Sequence, residues 1–203
     1  MNNEAFIQKV AEKVSKYAPL YGICVHSPII AQAIIESGWG KSGLASKYHN
    51  YFGLKCGSSW KGGSVNMTTK EEYKPGVVTN IRDNFRTYED FDAGIRGYFE
   101  FINTSRYKNL KGVKSPEVYV RRLKADGYAT SSKYVDNIMR VIRDNKLTRF
   151  DGNGDGDMKK EELTGNVLSG KEIIDILAKR VINGDYGSGV DRKKKLGELY
   201  PIV

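Results

Sequence analysis

Residues 27–38 read Ser-Pro-Ile-Ile-Ala-Gln-Ala-Ile-Ile-Glu-Ser-Gly, and this stretch restricts the possible folds more than any other part of the chain. Ser27 can cap free backbone N–H groups and Pro28 suits the first helical position, so a helix starts here. From Ile29 to Ile35 it is apolar almost all the way round. Such a helix has no solvent face, so other elements must wrap it and it lies at the centre of a domain. Gly38 ends it. Glu36 is thereby delivered in the last turn, where partial desolvation and the negative end of the helix dipole both disfavour a charged carboxylate. A raised pKa is the expectation, and a general acid working near neutral pH requires one. Ser37, Trp39 and Ser42 add polar and stacking groups of the kind a sugar-binding cleft uses. The plain alternative is a helix-terminal Glu that points into water.

The surrounding pattern supplies the wrapping. Residues 4–18 place Phe6, Ile7, Val10, Val14 and Tyr17 on one helical face. Between 56 and 88 Gly, Ser and Thr become frequent, and Val65–Tyr73 and Val77–Tyr88 read as two strands around Lys74-Pro75-Gly76. Helical spacing returns with Phe91, Ile95, Tyr98, Phe99 and Ile102. Ser115-Pro116 opens a helix that Gly127 closes, and Tyr134, Val135, Ile138, Met139, Val141 and Ile142 mark another. The fold class is therefore α+β, mainly α: a helical lobe and a small β-hairpin lobe with a cleft between them.

The segment Ala33-Ile-Ile-Glu36-Ser-Gly-Trp39-Gly-Lys-Ser42, followed by Asn50-Tyr-Phe-Gly53-Leu-Lys55, resembles glycoside hydrolase family 73, the endo-β-N-acetylglucosaminidases that cut bacterial peptidoglycan. Further landmarks follow in the family's order: Trp60-Lys-Gly62, Thr69-Lys-Glu-Glu72-Tyr73, Gly76, Phe85-Arg86-Thr-Tyr88 and Gly127-Tyr128-Ala-Thr130. The resemblance covers roughly residues 4–150 and implies a lysozyme-like domain over 1–150. It implies Glu36 as general acid, Tyr128 as an active-site tyrosine, and a second carboxylate before Tyr73. Alignment without a gap from Val65 to Tyr73 selects Glu72 over Glu71. Adjacent strand residues face opposite sides, so only one of the pair points into the cleft. Trp39, Tyr51 and Phe52 are candidates for sugar stacking or cleft walls, with core packing as the alternative for each. The implied activity is cleavage of the β-1,4 bond on the reducing side of N-acetylglucosamine, with no cofactor for catalysis. An N-acetylmuramidase or lytic transglycosylase on a similar fold is the rival enzyme; a calcium-dependent wall-binding protein without activity is the rival of another class.

Composition breaks after Phe150. Asp151-Gly-Asn153-Gly-Asp155-Gly156-Asp157-Met-Lys159-Lys-Glu161-Glu162 fits an EF-hand calcium loop. Asp151, Asn153, Asp155 and Glu162 would supply side-chain oxygens and Asp157 its backbone carbonyl to a structural Ca²⁺. An acidic, Gly-rich linker over 151–168 is the alternative. Ser169-Gly-Lys-Glu172 is a capping box that opens a small helical segment, 169–203. From about Ile174 it is similar to the three-helix wall-binding repeats at the tails of some phage lysozymes, shortened by its last helix.

The net charge of +9 points to an anionic partner. Lys and Arg are scattered, with a run only at 192–195, which disfavours nucleic acid and favours peptidoglycan and anionic wall polymers. No apolar stretch has the length of a membrane span. The first residues carry no secretory signal, so the expected routes to the wall are release as a phage endolysin or origin as a mature exported autolysin domain. Cys24 and Cys56 fit no zinc spacing, and whether they pair is open. His26 reads as a structural histidine.

Overall fold

Asn2 starts the first helix, α1 (Asn3–Tyr17), by accepting the backbone N–H of Ala5 on its side chain at 2.8 Å. Every residue expected on its apolar face is buried. The computed structural model describes residues 2–74 and 77–151, the backbone alone for 70–74 and 77–78. The chain divides into two units, Met1–Gly156 and Asp157–Val203. The segments expected at 151–168 and 169–203 lie outside the described residues, Asp151 excepted.

Helix α2 (Ser27–Ser37) occupies the centre, with Ile29, Ile30, Ala31, Gln32 and Ala33 wholly removed from solvent. Each isoleucine buried in this way contributes about 1.5–3 kcal/mol. The helix packs against α1, against α5 (Pro116–Ala125) and α6 (Tyr134–Asp144), and against the 3₁₀ turn Leu147–Phe150. Its start differs from the expected one. Ser27 lies inside the first turn, and His26 in front of it offers no side-chain cap. The cap comes from the far end of the domain: one Asp151 carboxylate oxygen accepts the N–H groups of His26 (2.6 Å) and Ser27 (2.8 Å), and the other accepts the Ser27 hydroxyl (2.6 Å). Tertiary capping of this kind cannot be read from residues adjacent to the helix. Gly38 closes α2 in the left-handed conformation at φ 55°.

A short helix, α3 (Gly43–Tyr48), leads to the hairpin of β1 (Ser64–Lys74) and β2 (Val77–Arg86). The strands pair antiparallel from Ser64 opposite Arg86 to Lys74 opposite Val77, with one irregularity between Glu72 and Lys74. Tyr88, expected in the second strand, lies beyond it. The base of the hairpin is tied to the helical lobe by Asn50, which is 1% exposed. Its amide donates to the carbonyls of Leu54 and Arg86, both at 2.9 Å, and its oxygen accepts the N–H of Leu54 at 2.9 Å. Beyond the hairpin, α4 (Phe91–Ile102) starts on Asp90, which caps Ala93, and packs on α1.

Candidate active site

Glu36 stands where α2 reaches the surface between the two lobes. The cleft there has a volume of about 1010 Å³. One side is formed by Met67, Thr68, Thr69, Phe85 and Arg86 of the hairpin, the other by Phe101 of α4, Tyr107, the Gly127–Ser131 loop, and Tyr134 and Asn137 of α6. The carrier helix is buried as the sequence implies, but the Glu36 side chain is exposed. Its desolvation therefore comes only when the cleft is filled; the helix dipole acts on it throughout. Gly53, at φ 63°, lies against this carboxylate: a Cβ there would sit 3.4 Å from Glu36 Oε2. A glycine suits this point because of both its backbone angle and its closeness to the acid.

Two tyrosines feel the Glu36 charge. Burial first, then neighbouring groups including Glu36, push the phenols of Tyr128 and Tyr134 above their ordinary range, so both remain neutral donors. Tyr128 keeps part of its ring open to the cleft while its hydroxyl donates to the carbonyl of Phe52 at 3.0 Å. Tyr134 is fixed from within the core. Gln32, one helical turn before Glu36, donates to the Tyr134 hydroxyl at 2.9 Å and accepts the Tyr98 hydroxyl at 2.7 Å. Tyr119 continues the chain, 2.9 Å from the Tyr98 oxygen. All polar atoms of this buried series have partners, which is the condition for placing a Gln in an apolar helix.

The other candidates separate. Phe52 is buried, stacks on Tyr98 at 4.3 Å between centroids and borders the cleft. Tyr51 packs into the core against Phe91 at 4.8 Å and Phe6 at 6.2 Å, and Trp39 sits edge-on to Phe6 at 6.4 Å. Neither Trp39 nor Tyr51 borders the cleft. The physical reason is the turn after α2, where Gly38, Trp39 and Gly40 all have positive φ and carry the indole away toward α1. Glu71 and Glu72 lie on β1 opposite Thr79 and Val78.

Gln32, Phe101 and Arg106 were not among the expected site residues, while Arg86 was expected only as part of a motif and Tyr134 only as a helix position. For Gln32 a signal existed, since it is the sole polar residue in the apolar run and lies four positions before Glu36. Among the described residues no cluster of three His, Cys, Asp or Glu is placed to hold a metal ion. Asn153, Asp155, Asp157 and Glu162 lie outside them, and the Asp151 carboxylate is engaged at the start of α2. Cys24 and Cys56 are free thiols, and burial pushes the Cys56 thiol up.

Residues 11–147 match the model of the Glucosaminidase family, described as mannosyl-glycoprotein endo-beta-N-acetylglucosaminidase. The chain belongs to this family. Residues 175–203 match a second model, that of the CW_7 repeat. The glucosaminidase region is 32% identical over 146 residues to the peptidoglycan hydrolase FlgJ of Pseudomonas aeruginosa, covering 69% of this chain and 36% of that protein. It is 34% identical over 128 residues to the exo-glucosaminidase LytG of Bacillus subtilis, covering 60% of this chain and 44% of the relative. The chain thus spans under half the length of these relatives. Among solved structures, a mutant peptidoglycan hydrolase from Sphingomonas sp. A1 superposes with a TM-score of 0.63 at 31% identity, covering 72% of this chain and 96% of that one. The helical lobe with its two-stranded hairpin is the lysozyme-like architecture of these glycoside hydrolase domains.

Proposed function

We propose that this protein hydrolyses the β-1,4 bond between N-acetylglucosamine and N-acetylmuramic acid in bacterial peptidoglycan, leaving N-acetylglucosamine at the new reducing end. The observation that carries this is the delivery of Glu36, on a buried helix, into a cleft of about 1010 Å³ between the helical lobe and the hairpin. Glu36 donates its proton to the glycosidic oxygen as the bond to the anomeric carbon breaks, and the electron pair of that bond leaves with the oxygen. Sugar filling the cleft removes water from the carboxyl, which with the helix dipole favours the protonated form before the transfer. Neutral Tyr128, its hydroxyl anchored on the Phe52 carbonyl, presents its ring to the sugar at the scissile position. The oxocarbenium-like carbon is answered by a second carboxylate that activates water, or by the substrate's own N-acetyl oxygen. Glu72 is assigned that role from the ungapped motif register; Glu71 is the alternative.

The tail matching the CW_7 repeat is assigned to holding the wall, and the acidic loop from Asp151 to Glu162 to a structural calcium ion that takes no part in the chemistry. No described helix is long and apolar enough to cross a membrane. The site of action is the wall, reached by release from the cytoplasm or by export as part of a longer protein. Muropeptide analysis of digested purified wall tests the whole assignment. Borohydride-reduced N-acetylglucosamine at the new ends is expected; reduced muramic acid or anhydro ends would overturn it.

A further inference from the structure

Four charged side chains among the described residues border the cleft: Glu36, Lys55, Arg86 and Arg106. Lys55 is paired with Asp83 at 2.9 Å. Arg86 and Arg106 form no ion pair with any described residue. For Arg86 this is unusual, because it is only 9% exposed. Its guanidinium lies between aromatic faces, 4.5 Å from the Trp60 ring and 5.2 Å from that of Phe101, and its Nε donates to the carbonyl of Lys55 at 3.1 Å. Those contacts hold the plane of the group but leave its charge unanswered, which a buried cation tolerates poorly. The adjacent Tyr88 phenol is pushed up to about 12 by burial, with Arg86 opposing, so it provides no counter-charge at neutral pH.

Arg106 completes the pattern from the other side of Phe101. The Phe101 ring is 5.3 Å from Tyr107 and 6.0 Å from Tyr128, and the Arg106 guanidinium lies 5.7 Å from the Tyr107 ring. Arg106 runs over Gly127: a Cβ there would be 2.3 Å from its Nη2, and φ is 80°. The left-handed angle favours glycine here, and the absence of a Cβ leaves the arginine room to lie along the rim. Two guanidinium forks thus flank one aromatic wall that ends at the tyrosine beside Glu36.

We propose that Arg86 and Arg106 form a carboxylate-binding subsite that recognises the acidic peptide carried by the muramyl sugars of the strand. Rigid, always charged forks suit carboxylates in paired hydrogen bonds. The subsite rests on the peptidoglycan reading above and adds a basis for discrimination: a neutral N-acetylglucosamine polymer has no group to satisfy it. The test compares kcat/KM on purified wall with that on the same wall after its carboxylates are converted to amides by carbodiimide coupling. Wild type is expected to lose about tenfold on the amidated wall, mostly in KM. Arg106→Gln, at an exposed position, is expected to lose about as much on native wall and nothing further on amidated wall. Arg86→Lys, which keeps the charge but not the fork, is expected to fall between. Arg121→Gln, which removes the same charge from α5 outside the cleft, is expected to behave as wild type on both. Equal cutting of both walls by wild type, equal losses of Arg106→Gln on both, or an Arg121→Gln effect matching that of Arg106→Gln would overturn the subsite. Wild type cutting neither wall would overturn the hydrolase reading instead.

Discussion

Replacement of Asp151 by Ala is expected to destabilise the catalytic unit from a position outside the cleft. Three contacts are lost together, from the backbone of His26 and from the backbone and hydroxyl of Ser27. Loss of a helix cap costs about 1 kcal/mol. The attraction between an anion and a helix N-terminus adds roughly 0.3–1 kcal/mol. Ser27 is fully buried, and stranding its donors costs about 1–3 kcal/mol more. Because Asp151 is half-buried, water partly replaces it and the lower ends apply, giving about 2 kcal/mol in all. In a domain of this size that lowers Tm by about 4–8 °C. Asp151→Asn keeps one acceptor oxygen for the two backbone N–H groups and is expected to lose about a third as much. Thermal melting by circular dichroism, with urea midpoints at constant m, measures both. An Ala variant melting within about 1 °C of wild type would refute the reasoning. The same variant tests calcium. Binding at a hundredfold excess over Kd stabilises by about 2.7 kcal/mol. If Asp151 stays on α2, calcium raises Tm equally in wild type and Asp151→Ala; if Asp151 is a calcium ligand, the rise is lost in the variant.

Glu36→Gln should keep its melting temperature, being exposed, and lose on the order of a hundredfold or more in wall hydrolysis; turnover near wild type would remove the proposed mechanism. Glu72→Gln is expected to cost far more activity than Glu71→Gln, and the opposite ranking would show that the motif is shifted by one residue and give the role to Glu71. Gln32→Leu fills the same space but strands the Tyr134 hydroxyl and leaves that of Tyr98 with Tyr119 alone, costing about 1–3 kcal/mol, with urea denaturation as the check. His26 is held below its ordinary value of 6.5 by burial, with Asp151 opposing. The unfolded chain therefore binds the proton first, so stability present above pH 6.5 declines as pH falls below it; a His26→Gln variant with the same slope there would contradict this assignment.

Helices α1, α4, α5 and α6 were legible from apolar positions at helical spacing or from their boundary residues, and Asn2, Asp90 and Ser115 stand directly before the helices they start; the short α3 was not expected. The start of α2 was not legible, because its cap comes from 124 positions downstream. The place of Glu36 at the end of the central helix, beside the cleft, was legible from the helix pattern and the surrounding motif, which are local features. Its exposure did not follow, since burial of a helix does not specify how its last turn meets a cleft. Trp39 and Tyr51 show the same limit: an aromatic near an acid in sequence packs wherever the intervening turn sends it, here toward Phe6. Arg86 and Arg106 belong to elements distant in sequence and meet only across Phe101, so no spacing rule announces them.

Asn50 has a mechanical consequence for how this cleft is used. One side chain, with both amide hydrogens donated and its oxygen accepting, joins the loop after α3 to the last residue of β2, as a strut fixes the angle between two plates. Jaws braced at their root do not need to swing shut around a guest. Such a groove suits a guest that cannot be swallowed: a strand cross-linked into an insoluble net, which must be gripped sideways, cut and let go without being threaded from an end.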